Sequence, residues 1–297
     1  MRLHPMHPAA WVLHQLDAEG WQVHDLLSFT RASTLVLVSR SGGTPVVLKA
    51  GFGSNHVLAE LKEEDRPAAY GFYWYADTAP HERALAREDF RHEIAVARTA
   101  TGARYVVPVL EEGSSDRFDW YTMPHFPGGS FRSWLSTPHD ESVTATGLGI
   151  LADVAAGITH LHDLGIVHRD VYQENVLVDG HHGLITDLGA ARRIAAPRGP
   201  AGRGPEVHWP PEYASSYATA TPAADVFSLA ILVYRFACGD IPRHGHSRLD
   251  SAPAPLRPLL IDALAPDRSD RPEMAELHAA LRQAAEPGSP PQPRRGS

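Results

Sequence analysis

Apolar and polar positions alternate through the first part of the chain and then give way to helical spacing. Residues 21–50 hold three β-branched, alternating runs: Trp21 to Leu27, Leu35 to Ser39 and Pro45 to Leu48. Ser41-Gly-Gly-Thr44 supplies the turn between the last two. This pattern predicts antiparallel strands. Residues 81–100 are charged and Ala-rich, with Phe90, Ile94 and Val96–Ala97 at rough helical spacing, so one main helix is expected there. Strand-like runs return at Tyr105–Leu110 and Phe118–Met123. After Pro127-Gly-Gly129 the texture turns helical. Leu151, Val154, Ala155, Ile158, Leu161 and His162 form one stripe, and residues 225–237 are apolar all round, as in a helix at the centre of a helical unit. The expected fold class is α+β: a small antiparallel sheet with one main helix, then a larger helical part.

Composition narrows the setting. The 297 residues are 43% hydrophobic and 21% charged, enough for a sizeable core. A net charge of −8 argues against general binding to nucleic acid or to an anionic membrane. The single cysteine, Cys238, excludes an internal disulfide and reads as a buried thiol in a reducing, cytoplasmic compartment. Met1 to Pro8 lacks the apolar core of a signal peptide, and the longest apolar run, Val226 to Ala237, is too short to span a bilayer. Of 27 basic residues, 25 are arginine and only Lys49 and Lys62 are lysine. In so biased a chain, a retained lysine suggests a place that needs a compact ammonium. That points to Lys49, since Lys62 sits in the charged run 60–66 and reads as solvated.

The chemistry concentrates in Ile166-Val-His-Arg-Asp-Val-Tyr-Gln-Glu-Asn-Val-Leu-Val178, followed by Thr186-Asp-Leu-Gly189. An Asp, an Asn five residues on and a second Asp before a small turn residue suit a loop that holds metal-bound phosphate. The first carboxylate orients an attacking hydroxyl, while the amide and second carboxylate hold Mg²⁺. The run resembles the H-R-D-x-x-x-x-N catalytic loop and D-F-G metal site of the eukaryotic-like protein kinases. The resemblance implies Asp170 as catalytic base, Asn175 and Asp187 as metal ligands, and His168 and Arg169 as supports. Val46-Val-Leu-Lys49 resembles the V-A-I-K strand, with Glu93 as the acid that pairs with Lys49. Trp209-Pro-Pro-Glu212 resembles the A-P-E end of the activation segment, and Arg271 the arginine paired with that Glu. Asp225 resembles the Asp that accepts hydrogen bonds from the catalytic-loop backbone. Met123 to Gly129 resembles the hinge, with Met123 as gatekeeper, the Pro124 carbonyl and Phe126 N–H facing adenine, and Leu177 lining the nucleotide. Alone, each is an ordinary strand-end lysine, polar turn or salt-bridge candidate; five core positions agreeing in order and spacing make that coincidence improbable.

The resemblance covers roughly residues 22–284. It implies a bilobal fold: an N-terminal extension over 1–21, an N-lobe and hinge over 22–126 with an insertion at 51–80, a C-lobe over 127–284, and a Pro/Gly/Ser/Arg-rich tail over 285–297 that reads as disordered. Within the insertion, Tyr70-Gly-Phe-Tyr-Trp-Tyr75 reads either as an elaborated loop packing on the small lobe or as a partner platform.

Three departures bear on function. The glycine-rich loop has no glycine: Ser28, Thr30 and Ser33 take the three positions, and their hydroxyls are expected to replace part of the loop's phosphate contacts. Tyr172 stands where Ser/Thr kinases have lysine, and Pro205 where they usually have threonine. From Asp187 to Glu212 there is no Ser, Thr or Tyr, so Arg169 has no phosphorylatable partner in that segment, which is expected to be constitutively arranged or partner-controlled. Its arginines, Arg192, Arg193, Arg198 and Arg203, suit either an acidic substrate or a plain solvated loop. The resemblance implies transfer from Mg²⁺·ATP to a hydroxyl, of Ser/Thr type, on a protein or peptide. The rivals are a pseudokinase scaffold that binds nucleotide without turnover, and a kinase-like enzyme acting on a small molecule or a biosynthetic precursor peptide.

Overall fold

The computed structural model describes residues 8–30, 33–51, 79–115, 118–138, 140–196, 206–242 and 248–286. The aromatic cluster at 70–75, Lys62, Arg198, Arg203, Pro205 and the tail from 287 lie outside the described residues. The chain divides into two compact units, Met1–Arg98 with Pro108–His125, and Thr99–Val107 with Phe126–Ser297.

The first unit is built on a sheet of five antiparallel strands in the order β1-β2-β3-β5-β4. These are β1 (Gln22–Phe29), β2 (Ser33–Ser39), β3 (Val46–Gly51), β4 (Glu112–Ser114) and β5 (Asp119–Pro124). Period-two alternation gives the sheet two distinct faces. On one face Val36, Val38, Leu48, Ala50 and Trp120 join Trp21 and Phe118 against Val12 and Leu16 of helix α1 (Pro8–Ala18). The extension preceding the sheet is therefore part of its core. The alternate residues of β3 and β5, Lys49 and Tyr121 among them, engage helix α2 (Pro80–Ala100). Gly51 lets α2 come close: a Cβ there would lie 2.6 Å from the Phe90 ring.

One predicted strand does not form. Over Tyr105–Leu110 only Val106 makes a bridge, to Ile185 of the second unit. Pro108 has no N–H to offer a ladder, and Tyr105 turns through a positive φ of 63°.

The second unit is mainly helical: α3 (Glu141–Asp163), α4 (Tyr213–Ser216), α5 (Pro222–Cys238), α6 (Arg257–Ala263) and α7 (Met274–Ala285). Short strands accompany them, with β6 (Ile166–Val167) pairing β9 (Arg192–Arg193) and β7 (Val176–Asp179) pairing β8 (His182–Ile185). Asp140 starts α3 by accepting the Val143 N–H at 2.8 Å. Gly239, at φ 73°, ends α5 in the left-handed cap. Helix α3 is long and apolar enough to cross a membrane by composition, yet 56% of that stretch is buried inside the protein, where it packs on α7, β8 and α5. A Cβ on its Gly157 would lie 2.5 Å from the Tyr105 carbonyl oxygen, so this glycine permits the close approach. Cys238 is buried, and burial pushes its thiol pKa up, in keeping with an inert side chain.

Candidate active site

In the first unit, β3 carries Lys49, whose ammonium donates to Glu93 Oε1 of α2 at 2.6 Å. The Tyr121 hydroxyl donates to the same oxygen at 2.7 Å. Lys49 is 4% exposed and Glu93 3%. Charges so far from water persist only when paired and hydrogen-bonded. Phe90, one helical turn before Ile94, stacks on Tyr121.

In the second unit, β6 leads into the loop that carries His168, Arg169 and Asp170. The Asp225 carboxylate of α5 organises this loop. Its Oδ2 accepts the His168 N–H and its Oδ1 the Arg169 N–H, both at 2.8 Å. His162 Nε2 reaches the same Oδ2 at 2.8 Å. Burial pushes the Asp225 carboxyl up, but the bonds from His162 and the loop outweigh it and hold its pKa below the ordinary value. The loop needs this support because Arg169 sits at φ 68°, a conformation that costs a non-glycine residue about 1–3 kcal/mol.

His168 fixes the relation between the two acidic residues downstream. The Thr186 carbonyl can only accept, so His168 Nε2 donates to it, at 2.9 Å. Nδ1 then accepts the Asp170 N–H at 3.2 Å. The ring is a neutral single tautomer, and burial, the largest influence on it, lowers its pKa in agreement. Asn175 Nδ2 donates to the Asp170 carbonyl at 2.9 Å and to Asp170 Oδ2 at 3.1 Å. That directs the amide oxygen, the only atom of the group able to bind a cation, away from the aspartate. Asp187 adopts φ 61° and accepts the Gly189 N–H at 3.2 Å. Further on, Arg271 makes a two-pronged ion pair with Glu212, both contacts 2.8 Å.

A sequence model of the protein kinase domain matches residues 75–281. The chain belongs to the protein kinase family. Its relatives include the serine/threonine-protein kinase AfsK of Streptomyces coelicolor, 27% identical over 67% of this chain and 27% of AfsK. The serine/threonine-protein kinase PknL of Mycobacterium bovis is 33% identical over 63% of this chain and 47% of PknL. Ephrin type-A receptor 8 of Mus musculus is 31% identical over 53% of this chain and 18% of the receptor. The chain thus spans less than half the length of each of these kinases. The matched kinase domain begins after Lys49, so the strand bearing that lysine is assigned through its ion pair to Glu93, inside the match.

The remaining kinase positions are distributed as follows. Met123, buried at the end of β5, pairs with Val47, and Pro124 with Val46. Phe126 opens the second unit, its carbonyl accepting the Gly129 N–H at 3.0 Å. Leu177 lies half-buried on β7 opposite Leu184. Ser28 ends a bulged stretch of β1 and pairs with Leu35. Thr30 Oγ1 lies 3.2 Å from both the Ser33 nitrogen and the Ser33 carbonyl oxygen. That hydroxyl tightens the turn.

Arg192 also differs from its reading as a substrate-facing or solvated cation. It is 8% exposed and donates to the carbonyls of Ala220, Ile194 and Ala196, bracing the segment from inside. Arg193 donates to Thr99 Oγ1 at 2.9 Å.

Several contributors escaped the sequence reading. His162 was placed in an apolar stripe, but it is the ring that reaches Asp225. Beside Tyr172, His208 accepts a hydrogen bond from Arg235 at 2.9 Å, and the same Arg235 Nη1 donates to Gln173 Oε1 at 2.9 Å. An arginine inside a mostly apolar helix was the available signal, because such a cation must find acceptors.

Proposed function

We propose that this chain is a protein or peptide kinase that transfers the γ-phosphoryl group of Mg²⁺·ATP to a hydroxyl, of the Ser/Thr type that the names of its bacterial relatives carry. The observation that carries the reading is the Asp170–Asn175 pairing, with one carboxylate oxygen tied to the amide and the Asp170 N–H held by neutral His168. A carboxylate set this way can accept the proton of an incoming hydroxyl.

Asn175 and Asp187 offer hard oxygen donors of the kind Mg²⁺ prefers. Among the described residues no three His, Cys, Asp or Glu side chains cluster as a self-contained metal site, so phosphate oxygens would complete the shell. Bound there, Mg²⁺·ATP supplies the phosphoryl group and the charge neutralisation that transfer requires. Lys49, steadied by Glu93, holds the α- and β-phosphates. Asp170 orients the acceptor and takes its proton. The cytoplasmic setting suggested by the lone buried thiol, and an acidic acceptor sequence, belong to the same proposal.

The test is Mg²⁺-dependent transfer of labelled γ-phosphate to the protein itself and to generic acceptors, beside Asp170→Ala. Label that disappears in the variant supports the kinase. Binding of Mg²⁺·ATP with no transfer would favour the second reading, a nucleotide-binding pseudokinase, to which the engagement of Thr30 within its own turn lends weight.

A further inference from the structure

We propose that Asp119 of β5, with Arg87 and Arg91 of α2, forms a positioning clamp that sets the rotation of α2 and so holds Glu93 on Lys49. This deepens the proposed kinase reading and rests on it for its consequence, though not for its geometry.

The clamp is dense. Arg87 Nε donates to Asp119 Oδ2 at 2.9 Å and its Nη2 to Oδ1 at 3.1 Å. The same Nη2 reaches the Ser115 carbonyl at 2.8 Å and Ser114 Oγ at 3.3 Å. Arg91 Nε donates to Oδ2 at 2.8 Å, with its Nη2 at 3.5 Å from Oδ1. The Ser114 hydroxyl donates to Oδ1 at 2.5 Å. Two guanidiniums and a hydroxyl thus converge on a carboxylate that is 4% exposed. Burial alone would raise the Asp119 pKa; the bonds from Arg87, Ser114 and Arg91 outweigh it and bring it to about 2, so the anion is permanent at any working pH.

Spacing turns this anchor into a positioning device. Arg87 and Arg91 are four residues apart and share a helix face. Asp119 and Tyr121 are two apart on one face of β5, about 7 Å along the strand. Glu93 lies about 9 Å along the helix from Arg87. One face of β5 therefore grips α2 twice, at Asp119 through the arginines and at Tyr121 through Glu93. A rod held at two points can neither roll nor slide. Glu93 Oε1 then stays where both the Lys49 ammonium and the Tyr121 hydroxyl meet it.

If the clamp acts through Glu93, its loss is felt only while Glu93 can hold Lys49. A double-mutant cycle reads this directly. The rate of γ-phosphate transfer would be measured for the wild type, Asp119→Asn, Glu93→Gln and the double variant, with Asp170→Ala as the zero. Asp119→Asn is expected to lower kcat/KM for ATP about tenfold in the wild-type background and by less than about twofold in Glu93→Gln. Equal losses in both backgrounds would mean a purely structural role and overturn the proposal. Should Asp119→Asn fail to fold, Arg91→Gln serves, since that side chain is 60% exposed; the same non-additivity is expected and the same additivity overturns the clamp. Hydrogen exchange of the amides of residues 87–97 needs no turnover. Faster exchange there, with the melting temperature of the second unit unchanged, supports the clamp even if the wild type transfers no label, in which case only the kinase reading fails. Unchanged exchange overturns it.

Discussion

The Arg169 guanidinium lies over the Tyr217 ring, 4.3 Å from its centroid, and donates to the Ala190 carbonyl at 2.6 Å and the Tyr217 carbonyl at 3.1 Å. Arg169 is 0% exposed. Its charge is met by an aromatic face and backbone oxygens. Treatment with phosphatase should therefore leave the transfer rate within about twofold of the untreated protein. A loss beyond about tenfold would show that the segment is switched by phosphorylation after all.

The same contact has a stability consequence. Tyr217→Phe keeps the ring under the guanidinium, whereas Tyr217→Leu removes it and should cost about 1–2 kcal/mol. Urea unfolding of the two variants side by side checks this, with phenylalanine expected to lie nearer the wild type.

Glu212 and Arg271 hold the far end of that segment, and the Arg271 side chain is 0% exposed. Glu212→Ala would strand a buried guanidinium and should destabilise the second unit by about 3 kcal/mol or more. The readout is the denaturation midpoint, and a shift under about 1 kcal/mol would mean that the Ala223, Ala265 and Pro266 carbonyls suffice for the arginine.

Lys49 is a lysine in a chain that otherwise uses arginine almost throughout. Lys49→Arg should reduce transfer about 100-fold despite keeping the charge, because a planar guanidinium cannot occupy the compact ammonium's place against Glu93 Oε1. Transfer close to the wild-type rate would show that charge alone is needed there.

Acid should weaken the second unit before the first. Burial, then Arg235, lowers the His208 pKa from 6.5 to about 4. Above pH 6.5 the ring is neutral folded and unfolded, and nothing is lost. As the pH falls from 6.5 towards 4 only the unfolded chain gains the proton, which removes about 3 kcal/mol of stability. His168 is lowered by burial too and acts in the same direction. Asp119, at about 2, loses its contribution only as the pH drops below its ordinary 3.8. Unfolding free energies between pH 7.5 and 4.5 should fall, and His208→Gln should flatten the slope.

How much could be read in advance depends on whether a residue's partner is near in sequence or belongs to a known pattern. The alternation of Leu35–Ser39 and Pro45–Leu48 placed two strands, and the position of Glu93 on the next helix foretold its bond to Lys49. Tyr105–Leu110 misled because β-branched residues outweighed Pro108, whose missing N–H decides the matter. Helix α1 went unread, although Val12 and Leu16 lie in the core of the sheet. The clamp was half visible: a carboxylate at the head of a buried strand has to be matched, and Arg87 and Arg91 share a helix face. Their meeting is tertiary, between residues about thirty apart, and no local rule states it.

The neutral ring of His168 accepts from Asp170 and donates to Thr186, the neighbour of Asp187. The turn that bears Asp170 and the turn that bears Asp187 are thereby geared together through one imidazole. Neither can be retuned alone: a substitution that tilts the turn at 186–187 will also displace the Asp170 amide. A change made at either turn should therefore be read at the other as well.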